Sequence, residues 1–385
     1  VTFTNAAALE MRERISSKID ELIYEDPYNM RLKKQKILLN SARISTVHSF
    51  CNDVVRENFY KLGISQNFRI SDQNEMLLIR NETARELIND LYLKNDMQFN
   101  NLIDAFCSNK NDKKIIDIIN KLYDFIRSHP FPLLWLDEKL SMYNPTCLIE
   151  DTKWGITVID FAKDAIDYCI NITKESILML NEDIKLNEAY FDAFSLDLSG
   201  LKVIKDAISK RDFDSICKAL KLFSFEKLKS IRGYKDNEVK IKACENRDEV
   251  KSVVSKLCKL FYTSKDECLS DIKYLYPIVE ELFLVVKMFS DKLEKIKLDK
   301  NIADFSDLEH YMIKLLVRPS KDGFVRTEDA IKLSQEFDEI MVDEYQDTNE
   351  AQDIIFRAIS KDESNMFMVG DVKQSIYRFR QAMPE

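Results

Sequence analysis

The spacing of apolar positions changes twice along the chain, and those changes divide it. Val1 to Thr4 read as the end of a strand, followed by Asn5, a residue suited to cap a helix. Behind it Ala8, Met11, Ile15, Ile19, Leu22 and Ile23 recur at three- and four-residue steps, which predicts an amphipathic helix packed on a sheet. Ser45 to Phe50 reads as a short strand and turn leading into a helix with Val54, Val55 and Tyr60 on its apolar side. From Asp72 to Lys300 amphipathic helical segments follow one another, with breaks expected near His129-Pro-Phe-Pro132, Asn144-Pro145, Ser199-Gly200 and Gly233. Neither an internal repeat nor a low-complexity linker interrupts them. Strand-like runs return only after Glu336, as Ile340-Met-Val342 and Met366-Phe-Met-Val369. The simplest arrangement is an α/β domain built from residues 1–72 and 301–385, interrupted by an all-helical insertion of residues 73–300.

Each of the two late strands ends in a chemically dense turn. The first runs into Asp343-Glu344-Tyr-Gln-Asp-Thr348, and ligands of open parallel sheets bind just beyond the carboxyl ends of the strands. There Asp343 could hold Mg²⁺ through its water shell, since Mg²⁺ prefers few carboxylates together with water and phosphate oxygens. Glu344 could orient or deprotonate a water attacking a γ-phosphate. A solvated acidic turn has the same spelling, so the pair alone leaves both readings open. The second strand runs into Gly370-Asp-Val-Lys-Gln374-Ser-Ile-Tyr377-Arg-Phe379-Arg380. A glutamine there could sense a terminal phosphate. Tyr377 and Phe379 offer flat faces to unpaired bases, a contact of roughly 1–3 kcal/mol per base, and equally suit a core.

Taken together these stretches resemble the motifs of superfamily 1 helicases, in the branch of UvrD, Rep and RecB. Val342-Asp-Glu-Tyr-Gln-Asp-Thr-Asn349 with Gln352 is similar to that branch's Walker B motif, and Val369 to Arg380 to its third motif. Thr2-Phe-Thr-Asn-Ala-Ala-Ala-Leu-Glu-Met-Arg12 and Ser45-Thr-Val-His-Ser-Phe-Cys51 resemble its DNA-contacting motifs. Within the branch, the wording of the third motif, Asn67-Phe-Arg-Ile-Ser-Asp72, Asp304-Phe-Ser-Asp-Leu-Glu-His310 and the long gap between His48 and Asp343 resemble the AddA family of helicase–nucleases, with RecB the nearest rival.

The resemblance implies an incomplete RecA-like parallel-sheet motor domain of an ATP-dependent DNA helicase–nuclease that unwinds and resects double-strand breaks for recombinational repair. It implies ATP and Mg²⁺ as cofactors, with Asp343 on the metal, Glu344 on the water, and Gln374 and Arg380 at the nucleotide. Phe3, Tyr377 and Phe379 would stack bases, while Thr4, Asn5, His48 and Arg380 would meet backbone or bases. The implied partners are single-stranded DNA, duplex ends and an AddB-like partner protein. No Gly-x-x-x-x-Gly-Lys-Ser/Thr occurs in the chain. The expectation is therefore a fragment, inactive alone, with its P-loop upstream and the second motor and nuclease domains downstream. Two other readings stay open: a UvrD-like repair helicase without nuclease, and a helical interaction module without motor function.

Composition sharpens this picture in two places. The net charge of −9 argues against a purely electrostatic nucleic-acid binder, yet residues 202–242 hold twelve Lys and Arg against six Asp and Glu. Lys227, Lys229 and Arg232 in that segment are candidates for duplex contact, with Arg31-Leu-Lys-Lys-Gln-Lys36 a smaller basic cluster. Such clusters also occur as solvated helix faces. The eight Cys form no Cys-x-x-Cys pair and the chain has three His, so no zinc or iron–sulfur spacing is present. Scattered thiols of this kind suit a reducing, cytoplasmic setting. The longest apolar run, Leu282-Phe-Leu-Val-Val286, is too short to cross a bilayer.

Overall fold

The computed structural model describes residues 1–107, 112–143, 146–234, 236–321, 323–371 and 373. Contacts divide the chain into two units, residues 1–138 with 280–385, and residues 139–279. The first opens with helices α1 (Asn5–Glu25), α2 (Met30–Leu39), α3 (Val47–Glu57) and α4 (Phe59–Leu62), followed by strand β1 (Arg69–Ile70). Helices α5 (Gln73–Lys94), α6 (Met97–Phe106), α7 (Lys113–Ile126) and α8 (Pro132–Ser141) follow. The second unit is carried by α9 (Lys153–Leu180), α10 (Ile184–Ser209), α11 (Phe213–Leu222), α12 (Glu238–Leu260) and the first part of α13 (Lys265–Asp299). The chain then returns through β2 (Ile302–Ala303), α14 (Phe305–Leu316), β3 (Val317–Ser320), β4 (Gly323–Arg326), α15 (Glu328–Ser334), β5 (Ile340–Val342), α16 (Glu350–Ile359) and β6 (Met366–Met368).

The architecture is mostly helical, and its strands are short. β1 pairs with β2 and β5 with β6, both parallel, while β3 and β4 form an antiparallel hairpin. Backbone bonds extend the β5–β6 row on its other side. The Asp343 N–H donates to Val1 O at 3.1 Å, and the Thr2 N–H donates to Ser45 O at 3.1 Å beside a parallel Thr2–Thr46 bridge. These segments thus lie side by side with their carboxyl ends on one edge.

The core beneath them is apolar and helical. Val47, Phe50, Cys51, Val54 and Val55 of α3 pack with Met312, Ile313 and Leu316 of α14, Ile340 and Val342 of β5, and Ile354, Ile355 and Phe356 of α16. Burying side chains of this size stabilises by about 1.5–3 kcal/mol each. In the second unit α9, α10, α11 and α12 close around Ile159, Ile166, Leu201, Ile204, Ile216 and Leu257.

A charged node binds four elements of the first unit. The Lys297 ammonium of α13 donates to Asp304 Oδ2 at 2.8 Å and to Asp307 Oδ2 at 2.8 Å. Arg127, just past α7, donates to Asp307 Oδ1 at 2.9 Å and to Ser306 Oγ at 2.9 Å, and Arg80 of α5 donates to Asp304 Oδ2 at 3.0 Å. Asp304 and Asp307 also close a capping box on α14. Burial alone would raise the Asp304 pKa, but Lys297, Arg127 and Arg80 hold it well below the usual carboxylate range. Burial likewise opposes the Lys297 charge, yet Tyr123, Asp307 and Asp304 keep its pKa above the ordinary lysine value. Burial and the Arg127 charge keep His310 neutral, and its Nε2–H donates to Arg127 O at 2.9 Å.

Several elements differ from the sequence expectation. Thr4, not Asn5, caps α1: its extended backbone lets the hydroxyl accept from Ala7 N–H at 3.1 Å, and Asn5 is the first helical residue. Ala8 is the one buried residue of α1, and Ile15 is exposed, so the apolar spacing there does not mark a buried face. Ser49 and Phe50 belong to α3 rather than to a strand and turn, because the Thr46 hydroxyl already caps that helix at Ser49 N–H. Tyr60 is exposed. Ser199-Gly200 does not break α10; Gly200 is there for proximity, since a Cβ would lie 2.5 Å from the Phe223 ring. The turn at His129-Pro-Phe-Pro132 separates α7 from α8, and Gly233 takes a φ of 83°. Asn144-Pro145 lies outside the described residues.

The node makes a stability prediction. Lys297→Ala leaves Asp304 and Asp307 buried without their shared cation and should cost about 3–5 kcal/mol, the range for breaking a buried pair. Because the Asp304 pKa is depressed, its contribution is complete above the unfolded value of about 4 and is lost as pH falls through the folded value. Urea unfolding followed by circular dichroism should therefore show a gap between parent and variant at pH 7 that narrows below about pH 4.

Candidate nucleotide and nucleic-acid site

β5 ends at Val342, and the next two residues leave the strand direction. Asp343 is half-buried, and its Oδ1 accepts the Glu344 N–H at 3.1 Å. Glu344 takes a φ of 54°, a left-handed conformation that costs a non-glycine residue roughly 1–2 kcal/mol. That turn exposes its carboxylate while the chain doubles into a 3₁₀ turn, Tyr345–Asp347, with Gln346, Asp347 and Thr348 buried. Asn349 then caps α16 through its bond to Gln352 N–H at 2.8 Å.

Gln346 organises the turn. Its Nε2 donates to Glu344 Oε2, and its Oε1 accepts the Asp371 N–H at 3.0 Å. One buried amide therefore aims the exposed carboxylate and ties it to the turn that follows β6. The Tyr345 N–H donates to Val369 O at 2.9 Å, drawing the same two turns together. Burial, followed by its bond to Asp353, pushes the Tyr345 hydroxyl up to about 12. Gly370 permits the approach, since a Cβ there would stand 2.6 Å from Gln346 Oε1 and 3.0 Å from Gln346 N.

Two adjoining clefts lie at the same strand ends. One, of about 340 Å³, is lined by Thr2, Phe3, His48, Phe305, Glu309 and Gln352, with Asp347 and Asn349 also on its wall. The other, of about 510 Å³, is lined by Phe3, Thr4, Asn5, His48, Asn52 and Phe305 among others. Phe3, Thr46, His48 and Phe305 are common to both. Phe305 is half exposed, and its ring centroid lies 4.8 Å from that of His48. His48 Nε2 donates to Glu309 Oε1 at 3.0 Å, and Gln352 Nε2 donates to the same oxygen at 2.6 Å. The arrangement offers aromatic faces beside hydrogen-bonding groups, which suits bases and sugar–phosphate backbone.

Of the residues singled out from sequence, Phe3, Thr4, Asn5 and His48 meet at these clefts, and Asp343 and Glu344 sit on the adjoining turn. Gln374, Tyr377, Phe379 and Arg380 lie outside the described residues. Lys227, Lys229 and Arg232 share one segment of the second unit, between α11 and α12, and all three are exposed. That segment is pinned from within: Asp197 Oδ1 accepts the Glu226 N–H at 3.1 Å, and buried Arg247 bridges Asp197 and Glu226 O. Leu228 and Ile231 turn inward onto an apolar cluster, leaving the cations outward; Lys229 stands 3.8 Å from Asp192.

Sequence reasoning missed Phe305, Glu309 and the anchoring role of Gln346. All three lay inside stretches already quoted for their spelling; Phe305 and Glu309 meet His48 more than 250 residues away, and Gln346 acts by joining Glu344 to the backbone at Asp371. Among the described residues no group of three or more His, Cys, Asp or Glu could hold a metal ion. Mg²⁺ does not need one, since water and phosphate oxygens supply most of its shell.

The whole chain, residues 1–385, matches the family described as UvrD/REP helicase N-terminal domain, and it belongs to that family. Its relatives include proteins named as subunits of an ATP-dependent helicase/nuclease. That of Clostridium botulinum (strain Alaska E43 / Type E3) is 37% identical over 396 residues, covering 100% of this chain and 32% of the relative. That of Clostridioides difficile (strain 630) is 37% identical over 400 residues, covering 100% and 31%, and that of Clostridium acetobutylicum is 34% identical over 403 residues, covering 100% and 32%. The chain thus spans about a third of the length of these relatives.

The contact at Gly370 is directly testable. Gly370→Ala forces Gln346 or the turn to move and should destabilise by about 1–3 kcal/mol, as overpacking does. A thermal midpoint equal to that of the parent would show that the two turns are not in contact.

Proposed function

We propose that this chain is part of the first motor domain of an ATP-dependent DNA helicase–nuclease that unwinds and resects double-strand breaks for recombinational repair. One observation carries the reading. The residues just after the acidic turn, Asp347, Asn349 and Gln352, also wall the aromatic cleft, so the stretch suited to nucleotide chemistry and the surface suited to DNA share a few residues of backbone. Membership of a helicase family and relatives named for a helicase/nuclease support it.

In this reading residues 1–72 and 301–385 are the RecA-like parallel-sheet motor, and 73–300 is its helical insertion. Asp343 would hold Mg²⁺, which supplies charge neutralisation at the phosphates of ATP. Glu344 accepts a proton from the water that attacks the γ-phosphorus, and Gln346 keeps the accepting carboxylate aimed outward. Gln374 and Arg380 would reach the nucleotide. Single-stranded DNA runs over Phe3, Thr4, Asn5 and His48, with Tyr377, Phe379 and Arg380 continuing the path. Duplex ahead of the motor is held by Lys227, Lys229 and Arg232. The intact protein works in the cytoplasm beside an AddB-like partner.

Glu344→Gln in the intact protein should lower ATP turnover by about 10²–10⁴-fold, the share of a positioned general base, while nucleotide binding followed by a fluorescent analogue stays near the parent value. Near-normal turnover would remove Glu344 from the mechanism. For the duplex contact, changing Lys227, Lys229 and Arg232 to Ala should flatten the plot of log affinity against log salt by roughly 0.9 per lost phosphate contact. Duplex-end binding measured across salt with an unchanged slope would leave that segment an ordinary solvated face.

A further inference from the structure

We infer that Glu309 is a positioning residue for DNA binding, acting through His48 and linking that histidine to the helix after the acidic turn. This rests on the proposal that single-stranded DNA occupies the cleft. Glu309 is almost fully buried, on the cleft-facing side of α14. One oxygen, Oε1, takes both His48 Nε2 at 3.0 Å and Gln352 Nε2 at 2.6 Å. Gln352 Nε2 can only donate, so Oε1 is an accepting oxygen and the imidazole Nε2 is its second donor. That fixes the proton of the imidazole on Nε2 and holds the ring in one orientation, tilted 42° against Phe305.

The far side of the bridge is held from one end only. Gln352 Oε1 is buried and has no hydrogen-bond partner among the described residues. An amide flip would give that oxygen no relief, because it would set it against the Glu309 carboxylate. The Gln352 amide is therefore held through its nitrogen by Glu309, in the first turn of α16, three residues after the Asn349 cap. His48 in α3, Glu309 in α14 and Gln352 in α16 form a bridge of two hydrogen bonds. It runs from the cleft to the helix whose start the acidic turn defines. A strand of DNA held by His48 in that orientation leaves both donors on the buried oxygen, so the ring that meets the strand and the Gln352 amide share one acceptor. The cleft is thereby joined to α16.

The experiment uses the intact protein and an oligo(dT) probe, read by fluorescence anisotropy and by the oligonucleotide concentration that gives half-maximal ATPase stimulation. Glu309→Leu, which keeps the volume and removes the acceptor, should weaken oligo(dT) binding about tenfold, the value of one charge-assisted hydrogen bond. It should have little further effect in a His48→Ala background, because the two act as one unit. Glu309→Gln, which keeps an acceptor oxygen at the same reach, should restore most of the loss. Should Glu309→Leu fail to fold, Glu309→Gln decides alone: it is expected to raise the half-stimulating concentration about threefold as the bond loses its charge, and an unchanged value overturns the inference. Additive losses from Glu309→Leu and His48→Ala also overturn it. If Phe3→Ala and His48→Ala both leave oligo(dT) affinity unchanged, it is the DNA path over the cleft that falls, a result distinct from failure of the Glu309 arms.

Discussion

The first unit depends on a buried charge node. Lys297 has a carboxylate on two sides, each carboxylate has a second cation, and the two carboxylates are three residues apart at the start of α14. Charges desolvated this far add little net stability, since burial costs about several kcal/mol per ion before pairing offsets it. What directed partners supply is register. An apolar contact can slide by a turn, whereas Arg127 can reach Ser306 and Asp307 together in one position of α14 only. Phe305, Ser306 and Glu309 belong to the same first turns of that helix, and all three line the cleft. The node therefore fixes where the cleft wall begins, and it does so with helices α5, α7 and α13, none of which carries a residue singled out for DNA.

The acidic turn shows the same logic on a smaller scale. A carboxylate useful to a reacting water must be exposed, yet an exposed side chain at a left-handed residue has few constraints of its own. Gln346 supplies them from below, with one end on Glu344 and the other on the Asp371 backbone. The strain at Glu344 is offset because its neighbours are buried and the two turns are stitched by backbone bonds. Glycine at 370 completes this arrangement, because any Cβ would occupy the space of the amide.

Much of the linear information was legible. The apolar runs at Ile340–Val342 and Met366–Met368 are strands, the prolines at 130 and 132 separate two helices, and the family follows from short stretches at the strand ends. What spacing could not report was the identity of the packing partner. The α1 pattern is amphipathic, but amphipathicity says nothing of whether its face is covered among the described residues. Gly200 reads as a break because glycine is permissive, whereas here it serves a close approach by Phe223. The β3–β4 hairpin was missed because Val317-Arg-Pro-Ser320 carries a proline and mostly exposed residues, a composition tolerated in edge strands. Glu309 and Gln346 were hidden for a different reason: a positioning side chain is defined by what it holds, and His48 lies 261 residues from Glu309.

A chain with a net charge of −9 meets DNA, in the proposed function, through two unlike surfaces, and the site chemistry explains why they must differ. The aromatic cleft has Glu309 and Asp347 on its own wall and Asp343 and Glu344 on the adjoining turn. A phosphate drawn there by charge alone would face carboxylates, and like charges about 4 Å apart repel by about 1 kcal/mol even in bulk water and by more where water is scarce. Neutral attraction avoids that conflict. Stacking on Phe3 and Phe305 takes the bases, and the carboxylate on the cleft wall at Glu309 is occupied by internal donors, His48 and Gln352. The Lys227–Arg232 segment has no such constraint: the acid beneath it, Asp197 of α10, is paired with buried Arg247, and Lys227, Lys229 and Arg232 are exposed on a surface that can follow phosphates. In the proposed function, acids placed for nucleotide chemistry thus favour stacking and neutral hydrogen bonds on the surface beside them, and leave charge-driven phosphate contact to a different unit of the protein.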